Sequence, residues 1–139
     1  MASDFAKKII KRHEGIRLKL YNDSLGIPTI GVGRNLKHKG ISIEEAQFMF
    51  ENDIIDAEIT LGNIFGLGIF NESENRVSAL LDMAFNLGEN GLRKFTKMVE
   101  AIKIRDWNKA AEEAEDSIWF KQVGNRAVEI VTLLKDKKE

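Results

Sequence analysis

The sequence predicts a predominantly helical α+β protein with a small antiparallel β-sheet in the first third of the chain. Apolar and polar residues alternate in RLKLY, from Arg17, and again in PTIGVG, from Pro28. That alternation is the period of a β-strand. Before this segment, and again from Ser42 onwards, apolar residues recur at helical spacing.

The first predicted element is an amphipathic helix over residues 3–13. Ser3 can cap its N-terminus, and Phe5 and Ile9 belong to its apolar side. Gly15 is expected to end the helix, because glycine adopts the left-handed conformation found past helix ends. Glu14 is therefore expected at or beside the last helical turn.

The predicted sheet covers about residues 17–38, and its third strand is only weakly marked. Its first two strands are separated by NDSLG, whose residue types favour a tight turn. Asp23 lies in this turn. Gly31 and Gly33 leave one face of the second strand without side chains, which allows close approach of a backbone or a ligand.

The remainder of the chain is predicted to be helical. A long helix begins at a capping box, in which the side chains of Ser42 and Glu45 each bond the backbone N–H of the other residue. The next helix carries an apolar stripe and is expected to end at Gly88, with Asn71 or Ser73 as its N-cap.

Composition indicates an ordinary globular protein, since 43% of its 139 residues are hydrophobic and 31% are charged. No apolar run approaches the roughly 18–20 residues of a membrane span. The N-terminus has no apolar signal core, so a secretory signal is not expected. The absence of cysteine excludes thiol chemistry, and with two histidines a histidine-rich metal site is not expected. We expect no metal and no cofactor.

The charge is distributed unevenly along the chain. Residues 1–40 contain nine Lys/Arg and three Asp/Glu, whereas the remainder contains 12 basic and 19 acidic residues. A basic first third is compatible with an anionic partner such as a nucleic acid, an anionic polymer or a membrane surface. A solvated lysine-rich surface explains the charge equally well.

Two carboxyl groups in the first third are candidates for acid–base chemistry. The C-terminal end of a helix dipole, and any partial burial, should raise the pKa of Glu14 and make it a proton donor. Asp23, in a polar turn, should stay ionised. Two carboxyls with pKa values pushed apart are what a glycosidase needs. A surface glutamate and an ordinary turn aspartate are the alternative, so these two positions alone do not identify a site.

The spacing of these residues resembles the catalytic signature of the phage-type lysozymes. That signature is E-G-x-R-L-x-x-Y-x-D followed by G-x-x-T-I-G-x-G. Here EGIRLKLYND, from Glu14, and GIPTIGVG, from Gly26, match every fixed place. The resemblance continues in FNLGENGLRKF from Phe85, WNKAA from Trp107 and WFKQVGNRAVEIV from Trp119.

The resemblance implies a lysozyme-like α+β fold with a single domain over residues 1–139. The β lobe would cover about residues 14–41 and the connecting helix about 42–62. The helical lobe would comprise residues 63–139 together with the N-terminal helix, 3–13. A substrate cleft would lie between the lobes. The chain is shorter than typical members, because a helix that often follows Gly33 looks deleted.

Catalytic roles follow from the same resemblance. Glu14 would be the general acid that protonates the glycosidic oxygen. Asp23 would orient or activate water, or stabilise the oxocarbenium-like transition state. Thr29 would hold the attacking water on the opposite face of the sugar, consistent with inversion in the family. Arg126 would be a structural support, as a buried arginine paired with a catalytic acid.

Four further residues are candidates for binding the glycan. Leu25 stands where an acid can occur in the family, so it could change saccharide contacts, and Gly33 leaves a bare surface. Phe85 and Asn86 lie in the segment that resembles a cleft-lining region. A core phenylalanine and a solvated asparagine are equally good interpretations of that pair.

The predicted function is that of an endolysin-type muramidase, a bacteriolytic hydrolase that cleaves peptidoglycan between N-acetylmuramic acid and N-acetylglucosamine. We expect a monomer with no nucleic-acid partner and no stable membrane association. It would accumulate in the host cytoplasm and reach the cell wall or periplasm after a membrane breach.

Two alternatives share the fold. A lytic transglycosylase needs an acid but no held water, so Asp23 and Thr29 argue for hydrolysis. A non-catalytic cell-wall-binding module would not need Glu14. Nucleic-acid binding is disfavoured, because no phosphate loop or recognition helix is found in the sequence.

Overall fold

The computed structural model describes residues 1–136, so residues 137–139, at the end of the predicted helical lobe, lie outside the described part. Within that part the α+β class is confirmed, with seven α-helices and one three-stranded antiparallel sheet. The elements are α1 Asp4–Glu14, β1 Arg17–Asn22, β2 Pro28–Gly31, β3 Arg34–Asn35, α2 Ile43–Phe65, a 3-10 helix Leu67–Asn71, α3 Glu74–Arg93, α4 Thr96–Lys103, α5 Trp107–Glu115, α6 Ile118–Val123 and α7 Asn125–Lys135.

The chain divides into two compact units, Met1–Phe48 and a second unit that begins at Met49. The first contains α1, the sheet and the start of α2, and the second contains the remaining helices. The division expected from sequence, with the N-terminal helix assigned to the helical lobe, remains a prediction. Here α1 is grouped with the sheet.

Both ends of α1 follow local sequence signals, as predicted. Ser3 Oγ accepts a hydrogen bond from the Ala6 N–H at 3.1 Å. At the other end the Gly15 N–H donates to the Lys11 carbonyl at 2.8 Å, with φ of 73° at Gly15. This left-handed conformation explains why a glycine follows Glu14 directly. No residue of α1 is buried.

The sheet has the order β1-β2-β3. Tyr21 pairs with Thr29 and Arg17 pairs with Gly31, so four steps along β1 correspond to two steps along β2. Such a mismatch interrupts the regular ladder, as a β-bulge does. The third strand has two residues, in agreement with its weak sequence signal.

The start of α2 is the predicted capping box. The Glu45 N–H donates to Ser42 Oγ at 3.1 Å, and the Ser42 N–H donates to Glu45 Oε1 at 2.9 Å. The helix continues to Phe65, three residues beyond the predicted end. Although α2 has 23 residues, neither it nor any other helix within residues 1–136 is long and apolar enough to cross a membrane.

The core of the second unit is built by α2 to α7. Its largest fully buried side chains are Leu61, Ile69, Leu80, Met83, Leu92, Met98, Ile102, Ile130 and Leu134. Ser73, one of the two predicted caps, accepts the Arg76 N–H at 3.3 Å at the start of α3. The predicted end at Gly88 is a kink, with φ of 70° and ψ of 177°, beyond which α3 resumes to Arg93.

Candidate active site

Asp23 holds the turn between β1 and β2 with its own side chain. Asp23 Oδ1 accepts the N–H of Leu25 at 2.8 Å and the N–H of Ile27 at 2.9 Å. These are the bonds by which aspartate favours tight turns. No group within residues 1–136 donates to the other carboxylate oxygen, Oδ2. One oxygen therefore orients the carboxylate while the second remains available to water or substrate.

Thr29 is buried in β2, with 3% of its surface exposed. Its Oγ1 donates to the Ile27 carbonyl at 2.8 Å. A hydroxyl carries one proton and two lone pairs, so a further partner of Thr29 Oγ1 must act as a donor. The same Ile27 carbonyl accepts the Asp23 N–H at 3.0 Å. Asp23 and Thr29 are thus both attached to the backbone of Ile27.

The strand β1 is irregular between the end of α1 and the turn that carries Asp23. Five residues, Arg17 to Tyr21, face the three residues from Thr29 to Gly31. A regular antiparallel ladder pairs equal numbers of residues, so the register between the two strands shifts within this interval.

Glu14 is the last residue of α1, and its side chain lies along the backbone at Gly33. A Cβ placed on Gly33 would be 2.5 Å from Glu14 Oε2 and 2.9 Å from its Cδ. The partial burial considered for Glu14 is not found, because this residue is exposed. The helix ends at Glu14, and Gly15 follows as its C-cap.

Leu25 and Gly33, the two glycan-binding candidates of the first unit, differ in their surroundings. The Leu25 side chain is 82% exposed beside the Asp23 turn, so it is available to a ligand. Gly33 is half-buried with φ of 64°, and the space where its side chain would lie is taken up by Glu14.

Phe85 and Asn86 lie on α3, in the second unit. Phe85 is 43% exposed, which excludes the core interpretation, and its ring centroid is 5.7 Å from that of Phe50. It lines a depression of about 240 Å³ that also includes Asp53 and Thr60. Asn86 Oδ1 accepts the Trp119 Nε1–H at 3.4 Å, so this side chain bonds a protein group.

The expectation that Arg126 is buried was wrong. Its side chain is 41% exposed, and its Nε donates to Asp82 Oδ1 at 2.7 Å. A second donor, Nη2, reaches the Asp82 carbonyl oxygen at 3.4 Å. Arg126 lies in the first turn of α7, on an exposed side of the helix, and its partner is an acid of α3. The pair joins α7 to α3 within the second unit.

The sequence did not reveal the partner of Glu45. Arg34 Nη1 donates to Glu45 Oε1 at 2.8 Å and to the Gly40 carbonyl at 3.1 Å. The Arg34 hydrogen bond, followed by the Ser42 N–H, lowers the pKa of Glu45 to about 2. The capping box marks Glu45 in the sequence, but nothing there indicates that Arg34 folds back onto it.

Within the described part of the chain, no cluster of three or more His, Asp or Glu side chains is arranged to hold a metal ion. The candidate catalytic residues offer two carboxyls and a hydroxyl. Glu14 is exposed at a helix end, while Asp23 and Thr29 are held by hydrogen bonds. This set can supply a proton, a negative charge and an acceptor for a water proton.

The chain is similar in sequence to known proteins. The sequence profile described as Phage lysozyme matches residues 11–138. The chain is 30% identical to the pre-baseplate central spike protein Gp5 of Enterobacteria phage T4, over 91% of this chain and 27% of that protein. It thus spans about a quarter of the spike protein's length.

Two other relatives match over most of their own length. The probable T4-type lysozyme 2 of Dictyostelium discoideum is 27% identical, over 91% of each chain. The endolysin of Salmonella phage P22 is 30% identical, over 74% of this chain and 73% of that protein. The family match includes Glu14, Asp23 and Thr29.

Proposed function

The chain belongs to the phage lysozyme family, and we propose that it is an endolysin-type muramidase. It hydrolyses the β-1,4 bond between N-acetylmuramic acid and N-acetylglucosamine in peptidoglycan. The observation that carries this proposal is the linkage of Asp23 and Thr29 through Ile27, in the same unit as an exposed Glu14. The arrangement supplies the acid and the water-handling groups that glycoside hydrolysis needs.

Glu14 acts as the general acid. Its exposure leaves the carboxyl accessible to a bound glycan, and no protein group within residues 1–136 forms a hydrogen bond or ion pair with it. As general acid it passes a proton to the oxygen of the departing sugar. A well-placed general acid contributes about 10²–10⁴-fold to a rate.

Asp23 and Thr29 handle the nucleophilic water. The Thr29 Oγ1 hydroxyl donates its hydrogen bond to the Ile27 carbonyl, so its oxygen accepts a hydrogen bond from the water and leaves the water oxygen free to attack. Asp23 offers Oδ2 as a base, or as a negative charge opposite the oxocarbenium-like state, while Oδ1 stays bound to the turn. Together they support hydrolysis over the internal attack of a transglycosylase, which needs no held water.

The partner implied is the glycan of the bacterial cell wall, and the biological setting is lysis of a phage host from within. Leu25, exposed beside Asp23, and Phe85, exposed on α3, would contact the sugars in their respective units. The proposal includes a monomer.

The decisive experiment is mass spectrometry of the products from purified peptidoglycan, with wild type and Glu14→Gln compared. Glu44→Gln is the matched control, since Glu44 is another exposed glutamate of the first unit. We expect reducing N-acetylmuramic acid ends from wild type and control, and none from Glu14→Gln. Anhydro ends would make the protein a transglycosylase. Binding without products would make it a wall-binding module.

A further inference from the structure

We propose that Gly33 is a positioning residue for Glu14: its lack of a side chain forms the surface on which the acid rests. The catalytic part of this inference depends on the proposed function, whereas the contact itself does not. Gly33 lies between β2 and β3, nineteen positions after Glu14, the last residue of α1. The two residues meet only because the chain folds back.

The contact involves most of the Glu14 side chain. A Cβ on Gly33 would lie 2.5 Å from Glu14 Oε2, 2.9 Å from Cδ and 3.2 Å from Cγ. Three consecutive heavy atoms thus lie along one face of the glycine. Distances below 3.0 Å are essentially never seen for a real Cβ, so any other residue at this position must move either its own backbone or the acid.

Few other contacts hold Glu14 in place. Within residues 1–136 its carboxyl takes part in no hydrogen bond and no ion pair, and the residue is exposed. A glutamate has several side-chain torsions, and a free one samples many rotamers. Packing against Gly33 excludes the rotamers on that side. The glycine thereby limits the side-chain conformations of Glu14 before substrate binds. Such positioning of a reacting group raises catalytic rates.

The surface offered by Gly33 is itself well defined. The preceding and following strands are paired through Thr29 with Asn35 and through Ile30 with Arg34. The short connection between them includes Gly33, whose φ of 64° disfavours other residues. Arg34, the next residue, is bonded to Glu45 at 2.8 Å. Glu14 therefore packs against the β2–β3 connection, whose two ends are fixed by strand pairing and by the Arg34–Glu45 ion pair.

This role differs from the one suggested by sequence, in which Gly33 leaves space for the glycan. A glycine that accommodates sugar affects KM when it is replaced. A glycine that places the acid affects kcat, because the position of the acid matters during bond cleavage rather than in binding. The two roles can therefore be distinguished by kinetics.

The test compares Gly33→Ala with Gly40→Ala. Gly40 has φ of 63°, nearly the same as Gly33, but a Cβ there would meet only the Leu36 carbonyl at 4.0 Å. Both substitutions place a side chain at nearly the same positive φ, and only Gly33→Ala brings a Cβ against Glu14. With soluble peptidoglycan fragments we expect Gly33→Ala to lower kcat by about 100-fold with KM unchanged, and Gly40→Ala to stay within about twofold of wild type. A raised KM with an unchanged kcat would overturn the proposal.

A second comparison tests the contact without relying on activity. Gly33→Ala should shift the 13C NMR resonances of Glu14 Cγ and Cδ, because both atoms lie within 3.2 Å of the added Cβ. Gly40→Ala should leave these resonances unchanged. Glu14 resonances that do not move in Gly33→Ala would overturn the proposal. An inactive wild type that passes this test would refute the proposed function alone.

Discussion

Asp23 and Ile27 are joined by two hydrogen bonds that run in opposite directions. The Ile27 N–H donates to Asp23 Oδ1 at 2.9 Å, and the Asp23 N–H donates to the Ile27 carbonyl at 3.0 Å. The same carbonyl accepts Thr29 Oγ1 at 2.8 Å. Because one residue's backbone orients both a carboxylate and a hydroxyl, the two side chains keep a constant relation to each other.

Two replacements of Asp23 should distinguish its structural role in the turn from its role in hydrolysis. Asp23→Asn keeps an Oδ1 acceptor for the Leu25 and Ile27 N–H groups, whereas Asp23→Ala removes both bonds. We expect Asp23→Ala to lower the free energy of unfolding by about 1–3 kcal/mol and Asp23→Asn by much less. Both should lose most lytic activity, since neither carries the charge. Urea denaturation and peptidoglycan digestion measure the two effects, and equal stabilities would refute the role of Oδ1 in the turn.

At Thr29, the hydroxyl and the methyl can be removed one at a time. Thr29→Val loses the bond to Ile27, whose carbonyl still accepts the Asp23 N–H. Thr29→Ser keeps the hydroxyl and loses a buried methyl. Each change should cost about 1 kcal/mol of stability. Hydrolysis should persist in Thr29→Ser and fall sharply in Thr29→Val. Equal activity of the two variants would show that the hydroxyl does not hold the water.

Lowering the pH should reduce the stability of the first unit, because Glu45 becomes protonated. The Arg34 hydrogen bond lowers the pKa of Glu45 to about 2, against an ordinary value of 4.5. A carboxyl with a lower pKa in the folded state stabilises the fold above pH 4.5, and this contribution is lost as the pH falls towards 2. The midpoint temperature of wild type should therefore fall more steeply over this range than that of Glu45→Gln. The effect is small, because the Glu45 side chain is 42% exposed.

Glu44→Gln is the control for that measurement, since Glu44 occupies the same helical turn but forms no ion pair within residues 1–136. Its pH dependence should follow that of wild type. Parallel curves for wild type and Glu45→Gln would contradict the contribution of the Arg34–Glu45 pair.

The Arg126–Asp82 pair should contribute only modestly to stability. Its side chains are 41% and 42% exposed, and exposed pairs are worth about 0.2–1 kcal/mol. A double-mutant cycle with Arg126→Gln and Asp82→Ala, followed by urea denaturation, measures the coupling directly. We expect it to decrease as salt is added. A coupling above about 2 kcal/mol that salt leaves unchanged would mean that the pair is shielded from solvent.

Local signals predicted the helix ends well. The Ser3 cap, the Ser42–Glu45 capping box and the glycine after Glu14 all appear as expected. Each depends on hydrogen bonds between residues three or four positions apart, so the nearby sequence contains both partners. The prediction for Gly88 was only partly right. A glycine with positive φ can end a helix, but it can also kink a helix that then resumes, as α3 does.

Contacts between distant residues were not predictable in the same way. The burial expected for Arg126 was wrong because burial depends on which side of α7 meets the core, and a motif does not specify that. The link between Arg34 and Glu45 was missed for a similar reason: eleven positions of chain separate the two residues, and many folds of that segment are compatible with its composition.

For the candidate site, the sequence alone identified the residue types, their order and the turn that carries Asp23, because these depend on neighbouring residues. Only the tertiary structure determined that the register between β1 and β2 shifts, and that Glu14 lies against Gly33. The register of two strands and the direction of a helix end depend on the balance of packing across the whole unit. No short stretch of sequence specifies these packing interactions, so the position of Glu14 is determined by the tertiary fold.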